Sequence, residues 1–236
     1  MATTLLYLQD FDINEGTAKV IGLNETEDDR LDVELDQTCF YPRGGGQDWD
    51  TGMINSFTVE EVRLDESGVA HHIGQGQLAL GDTVNLKVDT KRRDTNTRLH
   101  SGGHLIDMAV SELYPDWVPA KGAHYTHMSF VEYQTSDIPA ETSQTDLQQK
   151  IDQLLKAEIT NSMRLVDRVE LEKICRHVPE YLPSNKPTRV VLYGDFGVPC
   201  GGTHVRKLSD IGKLEVTRIK TKKGLTKVSY RVEGIN

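Results

Sequence analysis

Two pairs of metal-ligating side chains, far apart in the sequence, place the strongest constraint on how this chain can fold. His100 and His104 are four residues apart, and on a helix such residues lie one above the other on the same face. Cys200 and His204 repeat that spacing in the last part of the chain. Three imidazoles and a thiolate suit Zn²⁺. We therefore expect a fold that brings both pairs together around one zinc ion.

The apolar pattern around the first pair predicts a helix that ends before Pro115. Its buried stripe consists of Leu99, Gly103, Ile106, Val110 and Leu113. The two histidines lie roughly 100° round the helix from that stripe, where residues border a core and can line a cleft. Asp107 lies beside them, and two readings stay open. It either orients a ligating imidazole or is an ordinary solvated carboxylate.

Each pair taken alone is a weak signal, because a histidine at this spacing often has an unrelated role. A metalloprotease of the H-E-x-x-H type is excluded, since Ser101 occupies the position of the glutamate base. Both pairs enclose a Gly-Gly dipeptide, and their joint presence favours a single metal site.

Three motifs together resemble the signatures of the alanyl-tRNA editing domain, which also occurs in freestanding editing proteins of the AlaX family. The motifs are Phe40-Tyr-Pro-Arg-Gly-Gly-Gly-Gln47, His100-Ser-Gly-Gly-His104-Leu and Cys200-Gly-Gly-Thr-His204-Val. They follow the family's order and extend over nearly the whole chain. The resemblance implies a hydrolase that deacylates mischarged tRNA(Ala), chiefly Ser-tRNA(Ala), with Gly-tRNA(Ala) as a further substrate.

Residues 1–88 are predicted to form a small, acidic β-barrel domain. Short β-rich runs at 18–23, 31–35, 57–64 and 83–88 are separated by Asn, Asp and Gly, and no helical period accompanies them. Between these runs lies a glycine loop at 44–46. Its backbone can closely approach a second surface, or the glycines serve only the geometry of a tight turn.

Residues 89–236 are predicted to form an α+β editing domain, with helices packed on a mainly antiparallel sheet. A second helix is expected to bury Leu147, Ile151, Leu154, Leu155 and Ile159. Strands are predicted at 163–169, 189–193, 214–220 and 226–232, and a short helix at 171–177. The last two strands are joined by a turn at 222–224.

Composition adds limits on size and setting. The 236 residues suffice for one large or two modest cores. No apolar run is long enough for a membrane span, and the N-terminus lacks the pattern of a signal peptide. Cys39 and Cys175 are expected to be buried thiols, because three cysteines cannot all pair and Cys200 belongs to the metal motif. We expect a cytoplasmic protein with no membrane partner.

The formal net charge of −9 is unevenly distributed along the chain. Residues 1–89 have a balance of −13, whereas residues 90–236 have a balance of +4. A basic run near the C-terminus therefore predicts contacts with a phosphate backbone, although a solvated hairpin is the alternative. The expected tRNA-binding residues are Arg92, Arg93, Lys222, Lys223 and Lys227. Where the family aligns a paired Arg-Arg, this chain has Thr226-Lys227, which departs from the pattern.

The remaining candidates are assigned by the chemistry of ester hydrolysis. The N–H groups of Gly201 and Gly202 are expected to stabilise the oxyanion. Gln47, Thr203 and Ser101 are candidate partners for the hydroxyl of serine, and Gln47 could instead hold the attacking water. The resemblance implies that Arg43 and the segment 121–124 contact the substrate. His124 and His127 are candidate ligands or substrate contacts, and the alternative that we favour is that both are surface-loop histidines.

The sequence leaves two questions open. Zinc either acidifies a water molecule or holds the α-amino group of the substrate. Four protein ligands usually mark a structural zinc, so we expect His100, His104 and Cys200 as firm ligands and His204 as the weaker fourth. The alternatives to tRNA(Ala) editing are an RNA-binding module with a structural zinc and an editor of another aminoacyl-tRNA such as Ser-tRNA(Thr).

Overall fold

The computed structural model describes residues 1–135, 143–180, 182 and 184–235. It divides into two compact units, residues 1–95 and 96–236. The predicted α+β class, with a barrel in the N-terminal part, is confirmed. The boundary at residue 88 stays a prediction about where independently folding domains meet.

The first unit consists mainly of short strands. They are β1 (Thr4–Leu5), β2 (Glu15–Glu25), β3 (Leu31–Leu35), β4 (Gln37–Thr38), β5 (Gly52–Ile54), β6 (Phe57–Leu64), β7 (Ala70–Gln75) and β8 (Thr83–Val88). Strands β2, β3, β7, β6, β5 and β8 follow one another around a closed antiparallel barrel. The barrel closes because β8 pairs with both β2 and β5. In β8 every second side chain, Val84, Leu86 and Val88, lies in the core.

The four strand predictions for this unit correspond to β2, β3, β6 and β8 and are confirmed, but β1, β4, β5 and β7 were not predicted. Strand β7 begins Ala-His-His and contains Gly74, so its sequence does not alternate cleanly. His72 is nevertheless fully buried. Its ring nitrogens lie 2.8 Å from Thr38 Oγ1 and 3.0 Å from the Val33 carbonyl oxygen, which satisfies both.

The second unit combines helices with two sheets. Its elements are α1 (Thr90–Leu113, which begins in the first unit), β9 (Val118–Tyr125), β10 (Met128–Gln134), α2 (Ser143–Leu155), β11 (Asn161–Val166), α3 (Arg168–Ile174), β12 (Thr188–Tyr193), β13 (Phe196–Pro199), β14 (Leu214–Lys222) and β15 (Leu225–Val232). One antiparallel sheet has the order β14-β15-β10-β9, and the other has the order β11-β12-β13.

The predicted helices form, with small corrections. Helix α1 ends before Pro115 as expected, but Leu113, in its last position, is 37% exposed and does not join the core. Helix α2 ends at Leu155, so Ile159 lies beyond it. Cys39 and Cys175 are buried free thiols, as predicted.

Two predicted connections are also corrected. The turn between β14 and β15 consists of Lys223 and Gly224, which have positive φ angles of 53° and 75°. This two-residue turn matches the twist of a hairpin, and it leaves Lys222 inside β14. The segment 121–124, expected as a loop, is part of β9. No helix in the described ranges has the length and apolar character needed to cross a membrane.

Candidate metal centre

The four predicted ligands converge in the second unit. His100 and His104 project from α1, and Cys200 and His204 lie in the loop after β13. Their ligand atoms all lie within 4.8 Å of one another. Cys200 Sγ is 3.4 Å from His100 Nε2 and 3.3 Å from His204 Nε2. A group of this size and composition could hold one metal ion.

The two glycines between the histidines make room for neighbouring side chains. A Cβ atom on Gly103 would lie 2.2 Å from the His124 ring, and a Cβ on Gly102 would lie 2.9 Å from Leu214 Cδ1. An alanine at Gly103 would therefore have to displace the His124 ring. The dipeptide therefore lets α1 pack closely on β9 and on β14.

Asp107 orients His104. The His104 Nδ1–H donates to Asp107 Oδ2 at 3.0 Å, and the Tyr133 hydroxyl donates to Asp107 Oδ1 at 2.6 Å. The bond to Asp107 keeps the His104 proton on Nδ1, so Nε2 carries a lone pair that points away from the carboxylate. That nitrogen is buried and has no hydrogen-bond partner among the described residues. A buried imidazole nitrogen with no hydrogen-bond partner is what is expected of a residue that binds a metal ion. Of the two interpretations of Asp107, the structure supports the one in which this carboxylate orients a ligating imidazole.

His204 has a similar partner, which the sequence did not indicate. Its Nδ1 lies 2.7 Å from the Tyr193 hydroxyl, while its Nε2 faces Cys200 Sγ. The tautomer with Nδ1–H directed at Tyr193 leaves Nε2 free to bind a metal. Tyr193 is fully buried and is the last residue of β12, the strand before the one that leads to the Cys200 loop.

The pKa shifts of the four candidate ligands are also consistent with binding of a metal cation. Burial lowers the pKa of His100 and of His204 well below 6.5, and neighbouring histidines lower both further. Burial likewise opposes a charge on Cys200, but the neighbouring His104 ring and the Gly202 N–H lower the thiol pKa below 9.0. For His104, burial is outweighed by the hydrogen bond to Asp107 and by the attraction of a Cys200 thiolate, which raise its pKa to about 10. Both groups must lose their protons to bind a metal ion, so a bound ion would replace the proton that this pair retains.

His124 lies beside the centre and is not a surface-loop residue. It is 3% exposed, and its ring stacks on that of His100 with centroids 4.7 Å apart. The Tyr230 hydroxyl is 2.7 Å from both the Leu99 carbonyl oxygen and His124 Nδ1. Because the carbonyl only accepts, Tyr230 donates to it and accepts from His124 Nδ1–H, which leaves a lone pair on Nε2. The surface reading holds for His127, which is exposed.

Two of the predicted site residues have other uses. Ser101 is fully buried, and its Oγ accepts a hydrogen bond from the Val205 N–H at 3.0 Å, so its assignment as a substrate contact is wrong. The Gly202 N–H donates to Cys200 Sγ at 3.3 Å, which removes it from the predicted oxyanion pair. Thr203 is buried, with its Oγ1 2.7 Å from Thr97 Oγ1.

In the first unit, the glycine loop forms a tight turn. The Gln47 N–H donates to the Gly44 carbonyl oxygen at 2.8 Å, and Gly45 and Gly46 have positive φ angles of 52° and 76°. Turn geometry thus accounts for two of the three glycines. Gln47 itself is buried, and its predicted catalytic role stays a prediction.

The arginines of the first unit differ in availability. Arg93 is 7% exposed, and its guanidinium binds the buried Asp50 carboxylate and the Cys39 carbonyl oxygen. The prediction that Arg93 binds tRNA is therefore wrong. The guanidinium carbons of Arg43 and Arg92 each lie 5.5 Å from the centroid of the Trp49 ring, and Arg43 is exposed.

The C-terminal hairpin carries the other predicted RNA contacts. Lys222 and Lys223 are exposed, on an edge strand and in its turn. Lys227 already has contacts within the chain, because its Nζ lies 3.8 Å from the centroid of the Phe130 ring and 3.8 Å from Glu132 Oε1. The exposed Arg218 and Lys220 extend the same basic strand.

These observations define a class of protein: a chain with an antiparallel β-barrel unit and an α+β unit that holds a buried His₃Cys group. Comparison with known proteins agrees. A family model described as tRNA synthetases class II (A) matches residues 11–92. The alanyl-tRNA editing protein AlaX-L of Pyrococcus horikoshii is 30% identical over 95% of this chain and 57% of its own length.

Alanine–tRNA ligases are similar too. That of Nitrosopumilus maritimus is 31% identical over 92% of this chain, and that of Polynucleobacter asymbioticus is 32% identical over 78%. This chain spans 24% and 22% of those ligases, respectively, and little more than half of AlaX-L. The chain is thus similar to an alanyl-tRNA editing protein and to part of the alanine–tRNA ligases, and the resemblance identified from the three motifs is confirmed.

Proposed function

We propose that this chain is a zinc-dependent deacylase of mischarged tRNA(Ala), with Ser-tRNA(Ala) as its main substrate and Gly-tRNA(Ala) as a second. The observation that carries the proposal is the convergence of His100, His104, Cys200 and His204 within 4.8 Å. Two of the three motifs that resemble the editing family supply these ligands. The relatives named above include a protein whose name describes alanyl-tRNA editing.

Hydrolysis of an aminoacyl-tRNA ester needs an activated water and stabilisation of the negative charge that develops on the carbonyl oxygen. When bound, zinc would supply a Lewis acid that acidifies water or fixes the substrate's amino group. The Gly201 N–H is the remaining backbone donor of the predicted pair and would bind the carbonyl oxygen. His124 Nε2, held as an acceptor by Tyr230, would accept a hydrogen bond from the substrate.

Selection of serine over alanine depends on its hydroxyl group. A site that offers this hydroxyl a partner can discriminate strongly, whereas glycine, being smaller than alanine, is not excluded by size. With Ser101 withdrawn, Thr203 and Gln47 are the proposed partners. We propose that the phosphate backbone is bound by Lys222, Lys223 and Lys227, with Arg43 and Arg92 as further contacts.

A second candidate function is an RNA-binding module in which zinc is structural. The completeness of the ligand set favours it, because four protein ligands close a tetrahedron. Deacylation assays separate the two. Purified protein is incubated with Ser-tRNA(Ala), with alanyl- and glycyl-tRNA(Ala) as comparisons and Ser-tRNA(Thr) to test for a different editor. Bound zinc without hydrolysis of any of these would establish the structural role.

Cys200→Ala tests the ligand assignment. This variant is expected to lose zinc and deacylation together, since the thiolate is the one anionic ligand in the group. Cys175→Ala is the matched control, because Cys175 is a buried free thiol in the cluster with Val166, Leu171 and Val190. Full activity in Cys200→Ala protein that contains no zinc would refute the proposed mechanism.

A further inference from the structure

A buried arginine, Arg189, contacts the loop that carries Cys200. Arg189 lies on β12 and is 7% exposed. Its Nη1 donates to the Cys200 carbonyl oxygen at 2.8 Å and to the Gly202 carbonyl oxygen at 2.9 Å. Its Nε and Nη2 contact Met163 Sδ at 3.3 Å and 3.0 Å. Burying a guanidinium is costly unless its hydrogen bonds are made, so this arrangement fixes both partners firmly.

The two carbonyl bonds set the direction of the neighbouring amides. In a trans peptide the C=O and the following N–H point in opposite directions, and the described residues contain no cis peptide. With the Cys200 oxygen held by Arg189, the Gly201 N–H must point away from Arg189. Arg189 also holds the carbonyl oxygen of Gly202, and the N–H of Gly202 donates to Cys200 Sγ. Arg189 therefore restrains the residue that contacts the thiolate.

Gly201 has the properties of a residue kept clear for a ligand. It is exposed, and no acceptor takes its N–H among the residues the structure describes. A Cβ atom there would meet no atom within 4 Å, and its φ is not in the left-handed region. Nothing within the described chain therefore requires glycine at this position, whereas Gly103 is required by the His124 ring.

We propose that Arg189 is the positioning residue of the Cys200 loop: by holding the carbonyl oxygens of Cys200 and Gly202, it fixes the thiolate ligand and aims the Gly201 N–H at the substrate. The effect on the thiolate needs only the metal centre, and the effect on the substrate rests on the proposed deacylase function. Arg189 touches neither the substrate nor the metal and acts through the peptide groups of the loop.

The test compares Arg189→Met, which keeps an unbranched apolar side chain but removes the nitrogen that donates to both carbonyl oxygens, with Arg189→Lys and with Met163→Leu. Zinc affinity is measured by chelator competition, and the thiolate-to-metal absorption band is recorded with Co²⁺ in place of zinc. Loss of a group that orients a metal ligand typically costs about 10- to 100-fold in metal affinity. We expect that loss and an altered band in Arg189→Met, with recovery in Arg189→Lys. Met163→Leu keeps both carbonyl bonds and should match the unmodified chain.

An Arg189→Met protein with unchanged zinc affinity and cobalt spectrum would overturn the proposal. So would an Arg189→Lys protein as impaired as Arg189→Met, since a cationic donor should restore the clamp. If circular dichroism shows that Arg189→Met does not fold, Arg189→Gln replaces it under the same criteria. These metal readouts stand even if the unmodified chain deacylates no tRNA, so a failure of the proposed function is distinguishable.

The substrate half of the proposal is tested with Gly201→Ala and zinc-saturated protein. The added methyl group has space in the fold, so folding and zinc affinity should be unchanged. It would stand beside the N–H that faces the ester, and kcat for Ser-tRNA(Ala) should fall about ten-fold or more, as for a weakened oxyanion contact. Unchanged kcat in this variant would withdraw the substrate role of the Gly201 N–H.

Discussion

Asp107→Asn tests whether the carboxylate behind His104 prepares that ring to bind metal. Two donors converge on Asp107, the His104 Nδ1–H at 3.0 Å and the Tyr133 hydroxyl at 2.6 Å. An asparagine has one oxygen and one NH₂ group, so it can accept from only one of them along these directions. If its NH₂ faces His104, the ring takes the other tautomer and carries its proton on Nε2, the nitrogen that would bind the metal.

The expected loss is about 10- to 100-fold in zinc affinity, equivalent to about 1.4–2.8 kcal/mol. The assay is chelator competition at constant pH and ionic strength. Tyr133→Phe is the matched control, because it removes one hydrogen bond to Asp107 and leaves the carboxylate facing His104. Its zinc affinity should fall less than that of Asp107→Asn. An affinity in Asp107→Asn within two-fold of the unmodified chain would refute the reasoning, since the tautomer would then not depend on the charge.

Three further predictions concern other parts of the chain. Lys222→Glu combined with Lys223→Glu should lower the slope of log Kd against log salt for tRNA by about two units, as each lost phosphate contact removes roughly one; an equal slope would assign the hairpin to solvent. Gln47→Ala should lower deacylation about ten-fold with zinc content unchanged if a transition-state hydrogen bond is lost. Burial lowers the pKa of His72 from 6.5 to about 4. The unfolded chain therefore binds a proton first as pH falls, and stability present above pH 6.5 should drop by about 3 kcal/mol near pH 4. Urea unfolding of His72→Gln should lack that component.

The sequence predicts elements where local pattern alone decides them. Helix α1 and the strands β3, β6 and β8 form at the predicted positions, because apolar residues recur at the period of each element. Strand β7 escapes prediction because His72 counts as polar in the pattern, although Thr38 and Val33 satisfy its ring in the core. The ligand set is predicted for a similar local reason, since the two ligands of each pair are only four residues apart in the sequence.

Residues whose partners belong to a different element could not be predicted. Arg93 lies in a basic run of the sequence, but its partner Asp50 is 43 residues away and several strands separate the two. Tyr193 and Arg189 each lie 11 residues before their partners His204 and Cys200, but they belong to a separate apolar strand, whose pattern does not indicate that these side chains contact the Cys200 loop. Spacing records neighbours within one element, and it carries no information about which distant donor will meet a given acceptor.

The residues between the two histidines show how a ligand motif also specifies the packing around it. Ser101 accepts the N–H of Val205, the residue that follows His204, so one hydrogen bond ties the two halves of the ligand set together. Gly103 makes room for His124, whose ring stacks on His100. An alanine at Gly103 would therefore displace the ring that supports a ligand without altering any ligand itself. The residues between the two histidines thus determine how α1 packs against the Cys200 loop and β9, and this packing brings the four candidate metal ligands together.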